Sequence, residues 1–447
     1  MKLAVIGGGG FRVPLVYGAL LADTAEPRVD EVALYDVNER RLNVITRVLE
    51  QMAAGAERPP KVSATLEMQA ALDGADFVFS AVRVGGLTGR VADERVAYEL
   101  GMLGQETTGP GGVAYGLRTV PVALRIAEQV ARSAPDAWVI NFTNPAGLVT
   151  EAMSSLLGDR VIGICDSPIA LCRRVARALG LDPDQAWFDY VGLNHMGWLR
   201  AVQVGGRDRL PRLLADDTLL NSFEEGRLFG PDWLRALGAV PNEYLWYWYF
   251  HREAVQAMGH DGDATRGEFL FDQQRRFYET VEREPASALD EWQRVRRERD
   301  ASYMAETREQ GAVPRDEDDV EGGGYERVAL ELMAAIARDE HSTHILNVRN
   351  RGAVSGLDAD AVVEVPCVVD GNGAHPVGVG AVDDHQLALM LAVKAVERET
   401  IAAARERSRD RALLAFALHP LVDSVEVARR LLDGYAREVP ELSALFH

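Results

Sequence analysis

The chain has 447 residues, 47% of them apolar and 26% charged, which is long enough for a large buried core and ordinary for a globular protein. A formal net charge of −20 excludes a general nucleic-acid or anionic-membrane surface, because phosphate backbones demand a dense Lys/Arg face. Three cysteines, Cys165, Cys172 and Cys367, are too few for a disulfide framework and predict a reducing, cytoplasmic setting; no apolar run of about 18 residues predicts a membrane span, and the opening strand meets glycines where a signal peptide would stay apolar.

Residues 2–6 predict a buried strand, followed by Gly7-Gly8-Gly9-Gly10-Phe11-Arg12 and a helical segment over 13–21. Strand, glycine loop and helix in this order let backbone N–H groups and the helix start approach a pyrophosphate. Gly7, Gly9, Gly10, Phe11 and Arg12 are therefore candidate cofactor contacts, with Arg12 standing where the strict pattern has its third glycine. The next apolar run closes on Asp36, where a second strand sets a carboxylate on the adenosine ribose and repels a 2′-phosphate, favouring NAD.

Further β-runs over 75–82 and 137–140, with a helix predicted over 121–134, alternate as in an α/β, Rossmann-type doubly wound parallel sheet. The expected division is a dinucleotide-binding domain over 1–165 and an α+β domain over 166–447. Ligands of such sheets gather at the carboxyl ends of the strands, and Arg83, Asn141, Asn144 and Cys165 each follow a β-run. The glycine-rich segment 104–112 lies between helical segments.

Two apolar runs end in metal-binding groups: one in Cys165-Asp166, the other in Asn194-His195. One Cys and one His do not close a structural zinc shell, but they leave positions open for substrate oxygens around a Lewis-acid metal; a buried Cys is otherwise an ordinary small hydrophobe. The polar runs 216–229 and 291–320 predict surface loops and exposed helices. Between them lies an aromatic cluster at Tyr244 and 246–250, suited to a core or a sugar-stacking surface. A tyrosine there acts as a base only if a cation lowers its pKa from about 10. β-runs over 343–350 and 361–369 and helical stretches over 384–408 and 409–435 complete the second domain.

Gly7 to Gly10, Arg83-Val-Gly-Gly86, Gly104 to Gly112, Asn141-Phe-Thr-Asn-Pro145, Gly163-Ile-Cys165-Asp-Ser-Pro168, Gly192-Leu-Asn-His195, Asn347-Val-Arg-Asn350 and Val362 to Cys367 together resemble the family 4 glycoside hydrolases. The similarity is collinear over nearly the whole chain. It is strongest toward the 6-phospho-β-glucosidase branch, through the Arg83 to Gly112 block and His419-Pro-Leu-Val422.

The resemblance implies a lactate/malate-dehydrogenase-like domain joined to a substrate domain. It also implies a redox-assisted elimination distinct from two-carboxylate hydrolysis: NAD+ oxidises the sugar C3 hydroxyl, the C2 proton is removed, the aglycone leaves C1, water adds and the ketone is reduced back. By the same resemblance Cys165 and His195 hold a divalent metal, usually Mn2+, and Tyr244 takes the C2 proton. Arg83, Arg90 and Arg266 bind the 6-phosphate, Asn141 serves the cofactor, and Asn144 and Asn194 position the sugar. The substrate implied is a phosphorylated disaccharide or aryl 6-phosphoglucoside, and the assembly a homodimer or homotetramer. Asp166 stands where the β branch commonly has Asn; in the α-specific branch this Asp is the leaving-group acid. A 6-phospho-α-glucosidase is therefore the first alternative and a plain NAD-dependent dehydrogenase the second.

Overall fold

The computed structural model describes residues 1–258, 264–301 and 324–446. Six strands open the chain: β1 (Lys2–Ile6), β2 (Glu31–Tyr35), β3 (Lys61–Thr65), β4 (Phe77–Ser80), β5 (Trp138–Asn141) and β6 (Val161–Gly163). They lie side by side as β3-β2-β1-β4-β5-β6, all parallel. This is the strand order of a doubly wound dinucleotide-binding sheet, as the alternation of β-runs and helices predicts. β4 is buried throughout and β1 nearly so, because helices cover both faces of a parallel sheet. β3 is an edge strand without a buried residue, so no apolar run marks it in the sequence.

Past β6 the same sheet turns antiparallel, through β11 (Ser342–Arg349), β12 (Val362–Asp370), β7 (Trp187–Leu193), β8 (Met196–Val204) and β10 (Val240–Pro241). Two short strands, β9 (Arg207–Asp208) and β13 (Gly373–Pro376), pair with β8 and β12. At the change of direction Asn347 lies opposite Gly163 on one side and Glu364 on the other. Cys165 thus follows the last parallel strand.

The helix predicted over 121–134 spans Pro110–Ser133, with a proline pre-set for its first turn. The 104–112 segment is a turn that feeds this helix. A Cβ on Gly111 or Gly112 would lie 2.3 Å from the carbonyl oxygen of Gln105 or Thr107, so the turn closes only on bare backbone. The stretch read as one helix over 409–435 breaks into Arg409–Leu418 and Val425–Glu438 around Pro420, which lacks an N–H and disfavours helix in the residue before it.

The polar run 216–229 is not all surface. Leu220, Phe223 and Phe229 are buried, and Glu225 is fully buried against the Arg174 guanidinium. The run 291–320 lies partly outside the described residues; its described beginning belongs to the helix Ala288–Ala301, with Trp292 and Val295 buried. Among the described residues no helix is long and apolar enough to cross a membrane.

Helices of the second half hold the glycine loop of the first. Tyr278 Oη donates to the Gly9 carbonyl, Trp292 Nε1 to that of Phe11 and Tyr325 Oη to that of Arg12, each at 2.8 Å. Elsewhere Arg118 on the helix Pro110–Ser133 meets Asp93 on Gly86–Glu99 in a two-bond pair of 2.7 and 2.6 Å, with both side chains fully buried. Arg118→Met leaves the Asp93 carboxylate buried and uncompensated, so urea unfolding should show a loss of about 3–5 kcal/mol. Adding Asp93→Asn to that variant should recover part of it.

Candidate active site

One cavity of about 840 Å³ opens at the carboxyl ends of β1, β4, β5 and β6, the place where a doubly wound sheet binds its ligands. At one end Gly7 has φ +94°, and a Cβ there would lie 2.5 Å from the Ala81 carbonyl oxygen. Only glycine lets the loop cross the end of β4. Gly9, Gly10, Phe11 and Arg12 line the cavity. The Phe11 ring turns into the core, edge-on to Phe277 at 5.2 Å, so this residue offers backbone. The Arg12 guanidinium lies 5.2 Å from the Tyr325 ring and 5.6 Å from that of Phe142. Asp36 accepts from the Gly9 and Asn38 N–H groups, each at 2.9 Å, which fixes a carboxylate at the end of β2 facing the cavity. Bare backbone at the loop and an acceptor at β2 suit a dinucleotide's pyrophosphate and ribose.

At the far end Cys165 and Asp166 lead into the helix Ser167–Ala178. His195 sits in the two-residue turn between β7 and β8, with Leu193 opposite Met196 and φ 62° at His195. The His195 ring lies flat on that of Tyr244, centroids 3.8 Å apart and planes within 9°. Burial pushes the His195 pKa down to about 4, against the opposing pull of Asp166 and Glu106, so the imidazole is neutral near pH 7. Burial, then Glu364 and Asp166, push the Cys165 thiol well above its ordinary value. A neutral imidazole and a thiol that ionises only beside a compensating cation are donors of the kind a divalent metal takes, and the Asp166 carboxylate stands 4.0 Å from the Cys165 sulfur.

Between the two ends the wall is basic. Arg83, Arg90 and Arg266 line it, joined by Arg299, which the sequence reading missed. Glu106 bridges Arg83 and Arg90, at 2.5 and 2.8 Å. Burial alone would raise its pKa, but the two arginines overcome this and hold it at about 2. Arg90 also meets Glu94 at 2.8 Å, and Glu94 accepts from the Gly267 N–H at 2.6 Å. Arg266 donates to the Arg299 carbonyl at 3.1 Å. Burial, and then Arg12, Arg90, Arg266 and Arg83, disfavour the charge on Arg299. This local positive excess, inside a protein of net charge −20, suits a dianion.

Two expected residues stand elsewhere. Asn141 is completely buried and does not line the cavity. Its amide donates to Thr150 Oγ1 at 3.0 Å and to the Thr143 and Ala146 carbonyls at 3.3 Å, and its oxygen accepts from the Thr143 N–H at 3.1 Å. It shapes the loop after β5, spends its amide N–H groups there and presents no atom to the cavity. Asn194 lies behind His195, where its oxygen accepts from the Ala146 N–H at 3.0 Å. Its amide is near enough to Glu364 to pull that pKa down yet makes no hydrogen bond of ordinary length, so it braces the turn rather than facing the cavity. Asn144 does line the cavity, with its side-chain oxygen buried and not hydrogen-bonded.

Residues 2–181 match the family 4 glycosyl hydrolase pattern, and residues 190–422 match the C-terminal domain of the same family. The chain is a family 4 glycoside hydrolase. This hydrolase is 32% identical over 445 residues to a probable 6-phospho-beta-glucosidase of Bacillus subtilis (strain 168), covering 97% of this chain and 95% of the relative. It is 29% identical over 458 residues to a maltose-6'-phosphate glucosidase of the same organism, covering 97% and 94%. Among solved structures it resembles the 6-phospho-beta glucosidase of Thermotoga maritima, determined with manganese, NAD+ and glucose-6-phosphate, at a TM-score of 0.82, 28% identity and 98% coverage of both chains.

Glu106 gives this hydrolase a defined acid sensitivity. Its folded pKa is depressed from 4.5 to about 2, so the stability it contributes is complete above pH 4.5 and lost as the pH falls through about 2. Glu106→Gln should lower stability near pH 7 and flatten the loss over that acid window, measured by urea unfolding at stepped pH.

Proposed function

We propose that this family 4 hydrolase cleaves 6-phospho-β-glucosides by transient oxidation at C3 of the sugar, loss of the C2 proton, elimination of the aglycone and addition of water. One observation carries the reading: a single cavity is lined by a glycine loop, by Cys165, by His195 with its ring stacked on that of Tyr244, and by a cluster of guanidinium groups. When bound, NAD+ and Mn2+ or another divalent ion supply the two-electron exchange at C3 and the Lewis acidity that makes the C2 proton removable.

The residues of the chain do the binding and move the protons. The loop from Gly7 to Arg12 and Asp36 hold the dinucleotide, and Cys165 and His195 hold the metal. Tyr244, face to face with His195, takes the C2 proton; a tyrosine needs a neighbouring cation to act as a base near neutrality, because free phenols titrate at about 10. Arg83, Arg90, Arg266 and Arg299 clamp the 6-phosphate, and Asn144 orients a sugar hydroxyl. Asp166, beside Cys165, gives a proton to the leaving oxygen. That carboxyl favours a second reading, the same chemistry on 6-phospho-α-glucosides. Unpaired thiols at Cys165, Cys172 and Cys367 support a cytoplasmic setting. We take the assembly to be a homodimer or homotetramer, to be measured by light scattering.

The reading predicts p-nitrophenol release from the 6-phospho-β-glucoside in preference to its α anomer, dependent on both NAD+ and Mn2+, with deuterium entering C2 in D2O. Tyr244→Phe should lower kcat by about 100-fold or more. Arg299→Gln, by removing a charged hydrogen-bond donor of about 1.5–3 kcal/mol, should raise KM about tenfold or more while leaving NAD+ affinity intact. Release without NAD+ or without C2 exchange overturns the mechanism, and NADH that accumulates with turnover identifies a dehydrogenase instead.

A further inference from the structure

The turn that carries Tyr244 is anchored twice, once to each side of the cavity. Toward β8, Asn242 donates its N–H to the Gly197 carbonyl at 2.8 Å, and its side-chain oxygen accepts from the Tyr244 N–H at 2.9 Å. Toward β6, Glu243 reaches away from the cavity and accepts from Ser167 Oγ at 2.6 Å. Ser167 is the first residue of the helix that follows Cys165-Asp166, and its backbone N–H is near enough to the Cys165 sulfur to oppose the rise of that thiol's pKa. Glu243 is 4% exposed and does not line the cavity. His195 comes from the β7–β8 turn and Cys165 from the end of β6, so the two anchors tie the phenol to the two strands that supply the metal pair.

We propose that Glu243 is a positioning residue: its hydrogen bond to Ser167 sets the distance between the Tyr244 phenol and the Cys165 side of the cavity, and so governs proton removal at C2. The proposal rests on the reading of Tyr244 as the base. A displacement of about 1 Å in a reacting group lowers rate on the order of a hundredfold, so one lost anchor is enough to affect the step. The Ser167 bond needs only an acceptor oxygen of the right length, which glutamine keeps and alanine lacks.

The test compares Glu243→Ala, Glu243→Gln and Ser167→Ala on p-nitrophenyl 6-phospho-β-glucoside bearing deuterium at C2 or at C3, with full-length protein, NAD+ and Mn2+. Glu243→Ala and Ser167→Ala should lower kcat about tenfold or more with KM little changed, and should raise the C2 isotope effect relative to the C3 effect. Glu243→Gln should keep most of the rate and the isotope ratio of the parent. Mn2+ binding followed by electron paramagnetic resonance, and NAD+ binding by fluorescence, should be unmoved in all three. An unchanged kcat in Glu243→Ala, a slowing without change in the isotope ratio, or Glu243→Gln as slow as Glu243→Ala overturns the proposal. Ser167→Ala, the smaller lesion, gives the same readout where Glu243→Ala does not fold. Tyr244→Phe is run alongside: C2 exchange that survives in it refutes the base assignment itself, a result separate from any seen at Glu243.

Discussion

The gathering of positive charge in the cavity wall is the constraint that orders its surroundings. Arg12, Arg83, Arg90, Arg266 and Arg299 line one cavity, where burial first and the other four arginines second disfavour the charge on Arg299. Like charges in a poorly solvated wall must be held apart and partly neutralised by the fold before any ligand arrives. Glu106, folded back by the glycine-rich turn, answers Arg83 and Arg90. The Tyr115 ring lies 5.1 Å from Arg83 and 4.7 Å from Arg118, and Arg118 is itself neutralised by Asp93. Tyr435, far along the chain, donates to the Asp93 carbonyl at 2.9 Å. The glycine turn, four helices and the end of the chain thus serve one electrostatic requirement.

The two ends of the cavity are positioned by different means. At the glycine-loop end the fold presents bare backbone to the cavity and keeps side chains off it, as at Gly7. At the other end side chains face the cavity, Cys165 following the end of β6 and His195 the end of β7. Buried carboxyls stand behind them. Glu364 accepts from Asn347 at 2.8 Å and from Tyr190 at 3.2 Å, and burial raises its pKa to about 7 in spite of those bonds. That carboxyl is one reason the Cys165 proton is held tightly.

Much of this was legible in the chain, for reasons that separate the successes from the misses. A buried parallel strand needs a nearly unbroken apolar run, and β1, β2, β4, β5 and β6 each show one; β3, exposed at the edge, shows none. Residues just past such runs were read as facing a cavity, which places Arg83, Asn144 and Cys165 there but misplaces Asn141, whose carboxamide turned back into its own loop. Position along a strand fixes where a side chain starts, not what it bonds to. Arg299 went unread because it lies in a densely charged run that looks solvated, and Glu225 because burial beside Arg174 removes it from a surface that its neighbours occupy. The turn at Asn194-His195 has Asn but not the glycine that usually follows it in a two-residue hairpin, so the hairpin that presents His195 carries only a weak turn signal.

The three hydrogen bonds from Tyr278, Trp292 and Tyr325 to the carbonyls of Gly9, Phe11 and Arg12 set chain order against assembly order. The loop occupies residues 7–12, and its donors stand at 278, 292 and 325. A nascent chain that has grown only to residue 181, the end of the N-terminal family match, contains all six parallel strands and none of the three donors. The glycine loop as it stands is thus a joint product of both halves of the chain, because three of its carbonyls take their donors from beyond the first family match.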